Sequence, residues 1–200
     1  MTSPFERFGD ADVQALIADY PLASVLASAR PAVTSLLPLI GEYDADGRLV
    51  ALIGHLARSN PLHRALAADP HAVLLFRGPQ GYISPEHAGQ RDWGPTWNYA
   101  ELVIEAEVRF DDAWTEEALD LLTDAMERGR AAPWRSSELG LRRAGMVERI
   151  IGFRADVTGV SGRFKLGQDE QAETLRSILA AHPDPALRRW MERFNRERAC

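Results

Sequence analysis

Apolar positions recur along this chain with two periods. Val13, Leu16 and Ile17 stand at helical spacing behind Asp10, which predicts a helix from Asp10 to about Tyr20, stopped by Pro21. From Leu22 the pattern changes to short apolar runs between turn residues. Leu22 to Ala29, Val33 to Ile40, Leu49 to His55 and Ala72 to Phe76 read as strands, with Arg30-Pro31 and Asp44-Ala45-Asp46-Gly47 as turns. Pro38 marks the second strand as an edge or a bulge. A short helix is expected from Pro61 to about Ala68, because Asn60 can accept a free first-turn N–H and Pro61 suits the first helical position. Glycines and prolines between Arg77 and Pro85 mark tight backbone, and His87 to Pro95 reads as a polar loop. Thr96 to Phe110 then alternates strictly, with Leu102, Ile104, Ala106 and Val108 on one face and Val103, Glu105, Glu107 and Arg109 on the other. A helix from Thr115 to Arg130, a second from Ser136 or Ser137 to Val147, and strands over Ile150 to Val157 and Val160 to Leu166 follow. A helical tail from Asp169, broken at Pro183-Asp184-Pro185, ends the chain.

Strands without regular β-α-β alternation favour an α+β antiparallel barrel over a doubly wound sheet. Residues 1–170 read as one barrel domain and 171–200 as a helical tail. Two hundred residues with 46% hydrophobic content suffice for one full core. A net charge of −6 argues against broad nucleic-acid binding, which calls for a basic face. The arginines near the C-terminus read as a solvated helix face. The single cysteine, Cys200, excludes an intrachain disulfide and a Cys-rich metal site. No signal peptide or membrane-length apolar stretch is visible, so a cytoplasmic protein is expected.

Candidate chemistry gathers where the third strand runs into the short helix. His55 and Arg58 lie between a strand end and a helix N-terminus, where backbone donors and a positive dipole end suit an anion or a prosthetic group. The bland alternative for His55 is a hydrogen-bonded structural ring. Trp97 and Tyr99 are core or interface aromatics unless a planar group lies beside them. His63 reads as a rim residue, and His71, His87 and His182 as solvent-facing.

The stretch Gly54-His55-Leu56-Ala57-Arg58-Ser59-Asn60-Pro61 resembles a signature block of the PaiB family of FMN-binding regulators. Four more stretches, Phe76 to Pro85, Pro95-Thr96-Trp97-Asn98-Tyr99, Ala132-Pro133-Trp134 and Ile150-Ile151-Gly152-Phe153, are similar to later blocks in the same order, and Arg163 to Gln168 resembles the C-terminal one. The resemblance implies a split β-barrel of the FMN-binding type with peripheral helices, a homodimer, and cofactor sites at the subunit interface. It also implies either FMN or, in the piperazate-synthase branch, haem b. The chain departs from the family pattern. Leu36 stands where a His is usual, the strand after Tyr99 lacks histidines, His63 replaces a frequent Trp, and Asp169-Glu170 replaces an Asn and a basic residue.

Loss of imidazoles and gain of carboxylates at Asp169 and Glu170 work against a phosphate and favour a cationic ligand, such as an amino-acid substrate with a free amine. The resemblance then implies a haem-dependent cyclisation of N5-hydroxy-L-ornithine to L-piperazic acid. His55 is expected as the axial iron ligand, and Arg58, Asn60, Arg77, Trp97, Tyr99 and Arg163 as cofactor-binding. Lys165, Asp169 and Glu170 are expected as the catalytic groups. The rival expectation is an FMN-binding regulator or flavin oxidoreductase, with Arg58, Arg77 and Lys165 on the phosphate. A DNA-binding repressor and a dimer that has lost its ligand are weaker rivals.

Overall fold

The computed structural model describes Ser3–Arg198. In chain order the elements are α1 (Asp10–Asp19), β1 (Leu22–Ala27), β2 (Arg30–Pro38), β3 (Ile40–Tyr43), β4 (Leu49–Ala57), α2 (Pro61–Ala68), β5 (His71–Ile83), α3 (Pro85–Ala88), β6 (Thr96–Asp111), α4 (Thr115–Glu127), α5 (Arg142–Val147), β7 (Ile150–Lys165), α6 (Ala172–Ala181) and α7 (Pro185–Phe194). The strands form one open antiparallel sheet in the order β2-β1-β5-β6-β7-β4-β3. Edge strands β2 and β3 are consecutive in the chain. Pro38 has no N–H to continue a ladder, and the Leu39 N–H turns to the Pro21 carbonyl at 2.9 Å. The described residues cluster into a larger unit (Asp10–Phe76 and Val103–Val160) and a smaller one (up to Gly9, Arg77–Leu102, and from Ser161 on).

In the larger unit, α1 buries Val13, Leu16 and Ile17, the residues that its spacing singles out. The β3–β4 hairpin turns at Gly47, whose φ of 85° suits glycine, while the Asp44 carboxylate accepts from the N–H groups of Asp46 and Arg48. The alternation in β6 is real: Leu102, Ile104, Ala106 and Val108 are all buried. Arg30 and Pro31 begin β2 rather than form a turn, which falls on Ser28 and Ala29. A single apolar run hid the break between β2 and β3.

In the smaller unit, the stretch after Phe76 is strand, not loop. The β1 ladder on β5 covers only Ala72 to Phe76, so Pro79 lies beyond it and costs no bond there. β7 is likewise one continuous strand. The tail folds back as α6 and α7. Trp190 and Phe194 stack on Phe164, with centroids 6.2 and 4.8 Å away, and the Asn195 amide donates to the Leu166 and Met191 carbonyls. His182 is 5% exposed rather than solvent-facing: its Nδ1 accepts the Asp184 N–H, and its ring meets His87 edge-on at 5.0 Å. A four-residue helix, α3, replaces part of the expected loop, capped by Ser84 and His87.

Candidate functional site

The larger unit places His55, Arg58 and Asn60 at the junction of β4 and α2. Asn60 caps α2: its side-chain oxygen accepts the Leu62 N–H at 2.9 Å, and its amide donates to Ser35 Oγ on β2 at 2.9 Å. Arg58 is committed to the protein. Its Nε donates to the Glu148 carbonyl at 3.0 Å, and its guanidinium is paired with the Asp112 carboxylate. A phosphate or propionate would have to compete with that carboxylate.

His55 lies opposite Gly152 in the β4–β7 ladder, so both point to one face of the sheet. Trp114 and Thr115 cover that face. A Cβ on Gly152 would stand 2.8 Å from main-chain atoms of both, and Thr115 Oγ1 accepts the Gly152 N–H at 3.0 Å. His55 is half-buried, its Nδ1 is buried with no partner, and burial holds its pKa below the usual imidazole value. His63, on α2, differs. Its Nδ1 lies 3.2 Å from the Arg58 carbonyl and must donate to it, and its ring meets Phe110 edge-on at 4.7 Å.

Two adjoining clefts of about 510 and 560 Å³ run between β2 and α2, sharing Val33, Ser59 and Pro61. Arg30 and Arg64 line the first; Thr34, Ser35 and Asn60 line the second. A cavity of about 170 Å³ beside α4, between Ile53, Trp114 and Leu121, is below the roughly 300–1,000 Å³ of ordinary ligand pockets. Glu42, Arg154 and Asp156 form a salt-bridged chain along that side.

The smaller unit holds Arg77, Trp97, Tyr99, Arg163, Lys165, Asp169 and Glu170. Lys165 donates to Thr96 Oγ1 and to the Trp97 carbonyl at 3.4 Å. Trp97 is 49% exposed, lies 6.0 Å from Tyr82, and donates its indole N–H to Gln80 at 3.0 Å. The Trp93 indole donates to Glu170 at 3.2 Å, yet burial keeps the Glu170 carboxyl above its ordinary pKa, with Asp169 adding to that and Lys165 and Arg198 opposing it. Arg198 grips the 167–170 turn, donating to the Gln168 carbonyl at 2.7 Å and to the Glu170 carbonyl. Arg163 faces the N-terminal turn instead, 3.4 Å from Glu6 and over the Phe5 ring. Arg77 and Asp169 are exposed, and Tyr99 is half-buried.

Sequence patterns gave no signal for Arg30, Arg64, Trp93 or Arg198, because each depends on which segment folds back against it. Among the described residues no three His, Cys, Asp or Glu side chains gather to hold a bare metal ion, and no helix is long and apolar enough to cross a membrane.

The chain matches the family described as "Putative FMN-binding domain" over residues 1–159. It is 27% identical over 132 residues to the protease synthase and sporulation protein PAI 2 of Bacillus subtilis (strain 168). That match spans 64% of this chain and 62% of the relative, under two thirds of the latter. Among solved structures, the FAD and heme binding protein from Mycobacterium smegmatis superposes with a TM-score of 0.59 at 18% identity, over 80% of this chain and 73% of that one. The flavocytochrome Anf3 from Azotobacter vinelandii gives 0.58 at 18% identity, over 91% and 77%. These likenesses carry the fold: α+β, of the split-barrel type.

Proposed function

The chain belongs to the PaiB-like family of FMN-binding-type domains, and from that premise we propose that it holds a haem at the β4–α2 junction and acts as an enzyme of the piperazate-synthase kind. The observation that carries this reading is the unpartnered, buried nitrogen of His55. A buried polar atom without a partner is rare in folded proteins and calls for an explanation. An imidazole whose neutral form is favoured by burial is also the form that meets a metal group. The cations fit less simply. Arg58 is taken by Asp112, so Arg30 and Arg64, exposed in the cleft beside α2, are the better partners for propionates.

When bound, the haem would supply a Lewis acid that polarises an N–O bond. The reaction would join the α-amine nitrogen of N5-hydroxy-L-ornithine to N5, break the N5–O bond and release water. Within the smaller unit, the Lys165 ammonium is a carboxylate partner by charge, and Glu170, with its raised proton affinity, is a proton acceptor. A homodimer is part of the proposal: Leu22 and Leu36, on paired strands, are 53% and 64% exposed on one sheet face. The test is an absorption spectrum with added haemin, followed by mass analysis of N5-hydroxy-L-ornithine incubated with the loaded protein. A Soret band and a product lighter by one water support the reading, and the absence of a Soret band removes it.

One observation favours a second reading, an FMN-binding regulator or flavin oxidoreductase. The β2–α2 clefts have the size for a nucleotide cofactor, and Arg30, Arg64, Ser59 and the α2 N-terminus suit a phosphate. Quenching of FMN fluorescence by the protein, weakened in Arg64→Glu, would bring this reading forward.

A further inference from the structure

We infer that the cavity beside α4 binds a small hydrophobic amine, a benzene-sized aromatic or branched aliphatic group carrying one ammonium. The inference is independent of the haem and FMN readings, since a space of about 170 Å³ holds neither cofactor. The gap follows from the way α4 meets the sheet. At Gly152 the missing side chain lets the helix start come down on β7, where a Cβ would stand 2.8 Å from main-chain atoms of Trp114 and Thr115. That contact seats only one end of the helix. Thr115 and Ala118 are its buried residues, whereas Leu121, next on the same stripe, is 41% exposed. Leu121 of α4 and Ile53 of β4 both line the cavity, and neither is fully buried.

The walls are apolar and the opening is anionic. Ile53, Trp114, Ala118 and Leu121 supply the walls. Arg109 lies over the Trp114 ring at 5.8 Å and is itself paired with Asp156, which braces that wall. An apolar cavity of about 150 Å³ is enough to take up benzene. The charged lining residues are Glu42, Glu117 and Arg154. Arg154 is spent: it is paired with Glu42 and donates to Asp156 at 2.8 Å, and Asp156 also takes Arg109. With Arg109 and Arg154 against Glu42 and Asp156, that chain is neutral. Glu117 remains, exposed, and no cation pairs with it among the described residues. An anion entering here would meet Glu117 with no cation to spare. An ammonium would pair with Glu117 while its apolar part fills the space under Leu121.

The test titrates benzylamine, benzyl alcohol and benzoate into the full chain by calorimetry at low salt, in wild type, Glu117→Gln, Leu121→Phe and Leu121→Trp. Circular dichroism confirms that each variant folds. The expected result is saturable benzylamine binding with a Kd on the order of 1 mM, the range open to so small a ligand. Benzyl alcohol should bind about 2- to 5-fold more weakly, the worth of one exposed ion pair, and benzoate more weakly still. Glu117→Gln should erase the advantage of the amine over the alcohol. Filling the cavity with Leu121→Trp, or with Leu121→Phe where the Trp variant does not fold, should weaken amine and alcohol together by about 10-fold or more. Absence of saturable benzylamine binding overturns the proposal. So does an amine held no better than the alcohol, a preference that survives Glu117→Gln, or undiminished binding in a folded Leu121 variant. Sedimentation of the same proteins covers the remaining occupant: a dimer lost in Leu121→Trp, with no amine bound by wild type, would give the cavity to a second copy of the chain instead.

Discussion

The 54–63 junction and the 165–170 turn are both short polar connections beside a long strand, and they differ in how far their polar groups are spent. In the turn, the Gln168 side chain accepts the Leu166 N–H at 2.7 Å and donates to the Phe164 carbonyl at 2.6 Å. Trp93 holds the Glu170 carboxylate, Arg198 holds three turn carbonyls, and Lys165 is bonded to Thr96 and Trp97. At the junction the His55 Nδ1 meets nothing, and Arg30 and Arg64 stand exposed in the adjoining cleft. A region whose donors and acceptors close on one another is being shaped by the fold. One that leaves them open is shaped to receive something. By that criterion the junction is the stronger site, and the turn is a folding element that also presents two ionisable groups.

The comparison breaks most visibly at the core behind the turn. Trp190→Ala removes a buried ring stacked against both Phe164 and Phe194 and should cost about 3–5 kcal/mol in urea denaturation. A cost below about 1 kcal/mol would show that the tail helices are not what holds the turn. Next in size is Gly152→Ala, at about 1–3 kcal/mol, because the added Cβ meets main-chain atoms of Trp114 and Thr115 rather than a flexible side chain. The same change should lift the cover beside His55. An unchanged melting temperature would mean that the cover is loose.

Much of the fold is legible in the sequence because it rests on local patterns. The alternation of β6, the Asp44–Gly47 turn and the Asn60-Pro61 start of α2 each carry their cause within a few residues. What is illegible depends on distant partners. Nothing near Arg58 in sequence announces Asp112, so a cation expected to be free is neutralised by a residue 54 positions away. Arg198 reads as one more solvated charge, and only the return of α7 brings it to the 167–170 turn. His182 follows a helical pattern toward a proline and looks exposed. Packing of α7 under Gly81, where a Cβ would lie 2.8 Å from Leu187, buries it.

Arg198→Ala should cost about 1 kcal/mol, since it leaves turn carbonyls without donors in a partly solvated place. Arg198→Lys should recover part of that, because one ammonium cannot reach all the acceptors of a guanidinium fork. Equal losses in the two variants would argue that the fork geometry alone matters, and no loss in either would show that the turn is held without Arg198.

The smallest effect is the most discriminating, because acid should act on the two regions with opposite sign. His55 has its folded pKa lowered by burial. As pH falls below about 6.5 the unfolded chain takes up the proton first, so His55 makes folding less favourable until its lowered folded pKa is passed. Glu170 has its folded pKa raised, mainly by burial. Its proton is held more tightly in the folded state, so the stability it lends is present in acid and is lost as pH rises through the folded value. His55→Asn should therefore flatten the acid loss of melting temperature below pH 6.5, with little change relative to wild type above it. Glu170→Gln should raise the melting temperature at pH 7 and leave it near wild type at pH 4, since the amide oxygen can still accept from Trp93. If both variants shift stability equally at the two pH values, neither burial effect operates. A reversed sign for Glu170→Gln would mean that attraction to Lys165 and Arg198 outweighs burial, making the turn a salt-bridged brace rather than a place to store a proton.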